Sequence, residues 1–142
     1  MRSNALLFLS NFALSSTFIL IPLFAKELKA SDLELGVTGL AYGSSVFLAS
    51  YIFGRASDIY GRRIFLLSGL LASSLAFILQ IFAFNALALI IARFMVGFCV
   101  GIYPPSLIAY VAESKKRMGK FASYGSLGMG AGTLVAGIIG IY

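Results

Sequence analysis

Gly54-Arg55-Ala56-Ser57-Asp58-Ile59-Tyr60-Gly61-Arg62-Arg63 places four charges between two apolar runs, each long enough to cross a membrane. An Arg or Asp in the bilayer core costs about 2.5–3.5 kcal/mol on insertion scales, so a hydrophobic chain keeps such a cluster at the membrane surface. The stretch therefore reads as a charged turn joining two spans, and the rest of the chain divides around it.

Composition agrees. The 142 residues are 60% hydrophobic and 11% charged, with no Trp and no His. Ordinary soluble domains run about 45–50% apolar and roughly 25% charged, so this chain belongs in lipid. A net charge of +6 could suit nucleic acid, but the basic residues fall in short clusters between apolar runs. That is the pattern of membrane-surface loops, so the lipid bilayer is the expected partner and nucleic acid is not. The lone Cys99 lies in an apolar stretch, which excludes a disulfide within the chain and reads as small apolar filler.

A crossing helix needs about 20 residues. Five spans follow, at 4–24, 33–53, 64–84, 86–112 and 121–142, which predicts an all-α membrane protein with one transmembrane domain over 1–142. The first apolar run is too long for the core of a signal peptide and ends in no small-x-small cleavage site, so it reads as a retained helix, with Pro22 fitting its finish. Arg2, Arg55, Arg62, Arg63, Lys115, Lys116, Arg117 and Lys120 share one side, eight cations against Lys26 and Lys29 on the other. The positive-inside rule then puts the amino terminus in the cytoplasm and Tyr142 on the outer side of a multi-pass protein of the cell membrane.

Gly-x-x-x-Asp-x-x-Gly-Arg-Arg between a second and a third span resembles the signature loop of the major facilitator superfamily of secondary transporters. Gly54, Asp58, Gly61, Arg62 and Arg63 match it, while Ile59 stands where the family carries a basic residue. Asp58 and Arg62 are four apart, a helical pairing distance, and Gly61 permits a sharp backbone turn. The plain alternative is a positive-inside loop, which explains the arginines but not Asp58 or the glycines.

The fourth span adds Arg93-Phe94-Met95-Val96-Gly97, similar to the Arg-x-x-x-Gly element of the family's fourth helix. Arg93 lies about 12 Å of helix rise inside Asn85, deep enough to require a burial partner or a cavity unless its stem snorkels outward. The resemblance implies a role for Arg93 in substrate or proton handling. Pro104-Pro105 predicts a kink in this span, equally suited to shaping a site or to a structural bend. Glu113 resembles the acidic residue that faces the signature loop from the end of the fourth helix, which implies a latch from Glu113 to Arg62 or Arg63.

Small residues recur every four positions in the fifth span at Gly128, Gly132, Ala136 and Gly140, a stripe that lets helices approach closely. Its end resembles the family's antiporter element only loosely, with Gly137 where a proline is usual. Gly39/Gly43 and Gly97/Gly101 repeat the packing spacing. In the first span Ser10, Asn11, Ser15, Ser16 and Thr17 sit inside an apolar run, with Asn11 and Ser15 on one face. They read as facing a cavity, where Asn11 and Ser15 are substrate candidates, or as bonding to another helix.

No His, no Cys pair and no phosphate-binding glycine loop means that no cofactor, metal or enzymatic chemistry is expected. The resemblance covers nearly the whole chain and implies five of the six helices of one half of such a carrier, so the missing helices are expected on the same or a partner chain. It implies alternating-access transport of a small-molecule solute, with H+ or Na+ as candidate coupling ions. A non-transporting membrane module that assembles with or regulates another membrane protein is the alternative.

Overall fold

A computed structural model describes residues 2–113 and 118–140, with the side chains of residues 2 and 3 left aside. The chain is helical nearly throughout: α1 (Arg2–Glu27), α2 (Asp32–Tyr60), α3 (Arg62–Gln80), α4 (Ala86–Val100), α5 (Tyr103–Glu113) and α6 (Met118–Ile139). Among the described residues five helical stretches are long and apolar enough to cross a membrane, α4 and α5 together making one of them. Leu40, Phe47, Leu71, Leu87 and Leu134 lie exposed along these helices, as a lipid solvent requires.

Several helix limits depart from the sequence reading. Pro22 does not finish α1, which runs on to Glu27 with the proline inside it; membrane helices tolerate such a residue where the freed carbonyl finds another donor or local adjustment. The second helix does not stop near Phe53. Nothing in Gly54–Tyr60 forbids helical backbone, so α2 continues to Gly61, whose φ of 103° and ψ of 127° end it. At its start Ser31 and Glu34 form a capping box, with Ser31 N–H donating to Glu34 Oε2 at 2.8 Å and Glu34 N–H donating to Ser31 Oγ at 3.3 Å. The third helix ends at Gln80 rather than near Phe84, because Asn85 takes an extended conformation to cap α4 through Ala88 N–H at 2.7 Å.

The fourth span is broken, but not at the prolines themselves. The helix opens at Gly101–Ile102, and Pro104 and Pro105 fall in the first turn of α5, where a missing N–H leaves no gap in the helix that follows. In an unbroken helix the N–H of residue 105 would serve the Gly101 carbonyl. Ser50 Oγ donates to that carbonyl instead, at 3.1 Å.

The chain divides into two compact units, residues 1–27 with 111–142, and residues 28–110. In the first, α1 and α6 run parallel, with Gly128 seated against the Phe8 carbonyl and Gly132 against that of Phe12. A Cβ at either glycine would overlap those oxygens, so the absence of a side chain sets this approach. Ser16 Oγ bonds across the seam to the Gly132 carbonyl at 3.1 Å, and Gly140 meets Leu23.

In the second unit α2 and α4 also run parallel. Gly97 rests on Tyr42 and Ser45, and Gly101 on Val46 and Ala49. Gly69 of α3 meets Ile102 and Tyr103, while the Phe53 ring reaches Phe65 at 6.0 Å and Phe98 edge-on at 5.7 Å. The Gly39/Gly43 pair departs from the packing expected of it, because both glycines are exposed and a Cβ on either would meet open space.

Candidate functional site

The signature stretch is mostly helix. Gly54 and Asp58 occupy the last two turns of α2, the break is the single residue Gly61, and α3 starts at Arg62. Asp58 Oδ1 lies 3.1 Å from Arg62 Nη2, so the ion pair bridges the break. With the two side chains 60% and 24% exposed, water screens the pair to about 0.2–1 kcal/mol. The neighbouring Ser57 is buried and donates to the Gly54 carbonyl at 2.8 Å. A Cβ on Gly54 would touch Pro105 at an ordinary 3.8 Å. Arg63 is exposed, and the Arg55 guanidinium lies 5.1 Å from the Tyr51 ring centre. Glu113, the last residue of α5, is exposed and belongs to the other unit. Lys115, Lys116, Arg117 and Tyr142 lie outside the described residues.

Among the described residues Arg93 is the buried charge. It is 4% exposed, one turn before Gly97 on α4, and its guanidinium carbon sits 4.6 Å from the ring centre of Tyr42 on α2. The side chain thus turns into the helix packing rather than outward to the headgroups. A desolvated cation over an aromatic face gains about 2 kcal/mol or more, close to the 2.5–3.5 kcal/mol that a mid-membrane arginine costs on insertion scales. In the same unit Thr38, Ser45, Ser73 and Gln80 are buried too. The hydroxyls return to their own helices: Thr38 to Glu34 O at 2.7 Å, Ser45 to Tyr42 O at 2.8 Å, Ser73 to Leu70 O at 3.0 Å. Gln80 Oε1 has no hydrogen-bond partner among the described residues.

The polar residues of α1 divide their bonds between two uses. Ser10 and Thr17 donate to their own helix, at Leu7 O and Ala13 O, and Ser16 reaches α6. The Asn11 amide lies against Gly125 of α6, where a Cβ would stand 2.9 Å from Nδ2, and Ser15 is 6% exposed. Asn11 is therefore held at the α1–α6 seam. A groove of about 280 Å³ between α3 and α4 is lined only by apolar residues, among them Leu79, Ile91 and Met95, and carries no group that could orient a solute. No cluster of His, Cys, Asp or Glu suited to a metal occurs among the described residues.

Sequence reasoning did not single out Tyr42, Ser50 or Gln80. An aromatic or a serine inside an apolar run carries no signal of its own. Gln80, the only glutamine in the chain, could have been marked as a polar residue near a span end.

Long apolar helices, charges gathered at their ends and the buried Arg93 define a multi-pass helical membrane protein. The family model of the Major Facilitator Superfamily matches residues 4–142, and the chain belongs to that family. It is 27% identical over 126 residues to an uncharacterised transporter of this type from Methanocaldococcus jannaschii, covering 84% of this chain and 33% of the relative. It is 30% identical over 132 residues to a multi-drug resistance efflux pump PmrA homologue of Lactococcus lactis, covering 86% of this chain and 33% of the relative. The chain spans about a third of the length of these curated relatives.

Proposed function

We propose that this chain is the amino-terminal part of a secondary carrier that moves a small solute across the cell membrane by alternating access. Residues 1–142 would supply five helices of one six-helix half, with the remaining helices on the same polypeptide or a partner. The observation that carries the reading is Arg93, a permanent charge held inside a span with mean hydropathy 2.1. Such charges mark solute or ion pathways. Arg93 handles solute or a coupled proton, with H+ or Na+ as the driving ion, and Asn11 and Ser15 contribute polar groups from α1. The Asp58–Arg62 pair, joined by Glu113 through Arg62 or Arg63, latches the cytoplasmic side in one state and releases it in the other. Weak, screened pairs suit a latch that must open. The amino terminus is cytoplasmic by the distribution of Lys and Arg.

The test has two parts. An antibody against residues 4–24 should detect a product well above 15.2 kDa in native membranes. That polypeptide, reconstituted in vesicles, should move a lipophilic dye such as rhodamine 6G, a probe suggested by the efflux-pump relative, or another small solute, in a saturable manner under an imposed H+ or Na+ gradient. A stable product near 15.2 kDa with no gradient-driven flux would overturn the reading in favour of a non-transporting module.

A further inference from the structure

We propose that Tyr42 is the positioning residue for Arg93, and that the Arg-x-x-x-Gly spacing exists to bring the two together. This deepens the reading of Arg93 given above and rests on it. Tyr42 is touched twice by α4. Its ring lies under the Arg93 guanidinium at 4.6 Å, within the range of a cation–π contact. Its carbonyl lies under Gly97, where a Cβ would stand 2.6 Å away. Residues four apart share one helix face, so a single approach of α4 serves both contacts. Gly97 lets the backbones close, and only then does the ring reach the guanidinium one turn away. Ser45 fixes the same spot from α2, because its hydroxyl donates to the Tyr42 carbonyl at 2.8 Å and fills the space that a Gly97 side chain would need.

An aromatic face differs from a carboxylate in what it does to the charge. A carboxylate would neutralise the guanidinium, whereas the ring orients it and leaves it fully positive. The five carboxylates of the chain sit near helix ends, at Glu27, Asp32, Glu34, Asp58 and Glu113. Tyr42 holds one face of the Arg93 guanidinium in a single orientation, as a group that sets the electrostatics of a solute path must be held.

The experiment uses the full polypeptide that carries this chain, in lipid nanodiscs, with arginine labelled in its guanidinium nitrogens. The Arg93 signal, assigned by its loss in Arg93→Lys, should be displaced upfield by the Tyr42 ring current. The displacement should persist in Tyr42→Phe and vanish in Tyr42→Leu. In vesicles Tyr42→Phe should keep rhodamine 6G flux within about twofold of wild type, and Tyr42→Leu should lose roughly tenfold. Fluorinated phenylalanines at position 42 keep the shape while weakening the ring face, so flux should fall stepwise with fluorine number even if Tyr42→Leu fails to fold.

An Arg93 signal unmoved in Tyr42→Leu, or equal flux across the fluorinated series alongside a damaged Arg93→Lys, overturns the positioning role. Loss of the ring-current shift with wild-type flux in both Arg93→Lys and Tyr42→Leu overturns instead the reading of Arg93 as a transport residue.

Discussion

Ser50→Ala tests the repair of the broken fourth span. Gly101 offers a carbonyl that its own helix cannot serve, because residue 105 is a proline and has no N–H to donate. Ser50 Oγ supplies the donor at 3.1 Å. Hydrogen bonds between helices in a membrane average about 0.6 kcal/mol and reach about 1.7 kcal/mol in double-mutant cycles. Removing the one donor that this carbonyl has among the described residues belongs toward the upper end, because the acceptor then loses that partner. A loss of about 1–1.7 kcal/mol is expected.

The reasoning becomes specific in a second background. Pro105→Ala restores an N–H that can reach the Gly101 carbonyl, and it keeps the Cβ that faces Gly54. In that background Ser50→Ala should cost less than about 0.5 kcal/mol, giving a coupling of roughly 1 kcal/mol between positions 50 and 105. Pro104→Ala is the control, since its N–H would serve Val100 and leave Gly101 dependent on Ser50. Reversible unfolding of these variants in bicelles, followed by steric trapping, reads these energies. Equal losses from Ser50→Ala in both backgrounds would refute the argument, since the serine would then do nothing for the proline-freed carbonyl.

Gly132→Ala should destabilise the α1–α6 pair by about 1–3 kcal/mol through overpacking on the Phe12 carbonyl, whereas Gly130→Ala, which faces open space, should be neutral or slightly stabilising in the same unfolding assay. Gly61→Ala adds a side chain where there is room but at a φ of 103°, so a loss of about 1–3 kcal/mol in thermal unfolding should come from the backbone alone. Asp58→Asn removes one charge of a pair worth less than about 1 kcal/mol, so membrane insertion and melting should hardly change while rhodamine 6G flux drops sharply; unimpaired flux would remove Asp58 from the latch.

Fold class was legible because a bilayer asks for long apolar runs and exiles charge to their ends, and both leave plain marks in a sequence. Helix ends were less so. Gly54–Tyr60 looks like a loop by its charges, yet charge does not break a helix, and α2 ends only where Gly61 adopts a positive φ. The prolines marked the broken span but not the site of the break, which falls at Gly101–Ile102 because prolines fit a first turn better than an interior. The Ser31–Glu34 capping box was readable from its Ser-x-x-Glu spacing and passed unnoticed among the charges around it. The site was legible only on the residues with unusual chemistry. Arg93 is conspicuous in an apolar run; Tyr42 is not, and nothing along the chain says that the two meet.

Spacing alone also could not say which small residues matter. Gly39/Gly43 and Gly97/Gly101 share one pattern, yet the first pair faces open space and the second lies against α2. The difference is visible in what surrounds each close approach. Beside Gly97, Ser45 donates to the Tyr42 carbonyl; at Gly101, Ser50 donates to the glycine's own carbonyl; at Gly132, Ser16 does the same from α1. Each seam joins a missing side chain to a nearby hydroxyl that satisfies a backbone oxygen at the contact. Lipid gives helices no hydrophobic reason to associate, so close packing and such bonds must hold each pair together, every one worth only about a kilocalorie per mole. Stability spread thinly over several seams has a consequence for substitution. No single seam glycine or serine should unfold the chain, and paired changes within one seam, such as Ser16→Ala with Gly132→Ala, should depart from additivity.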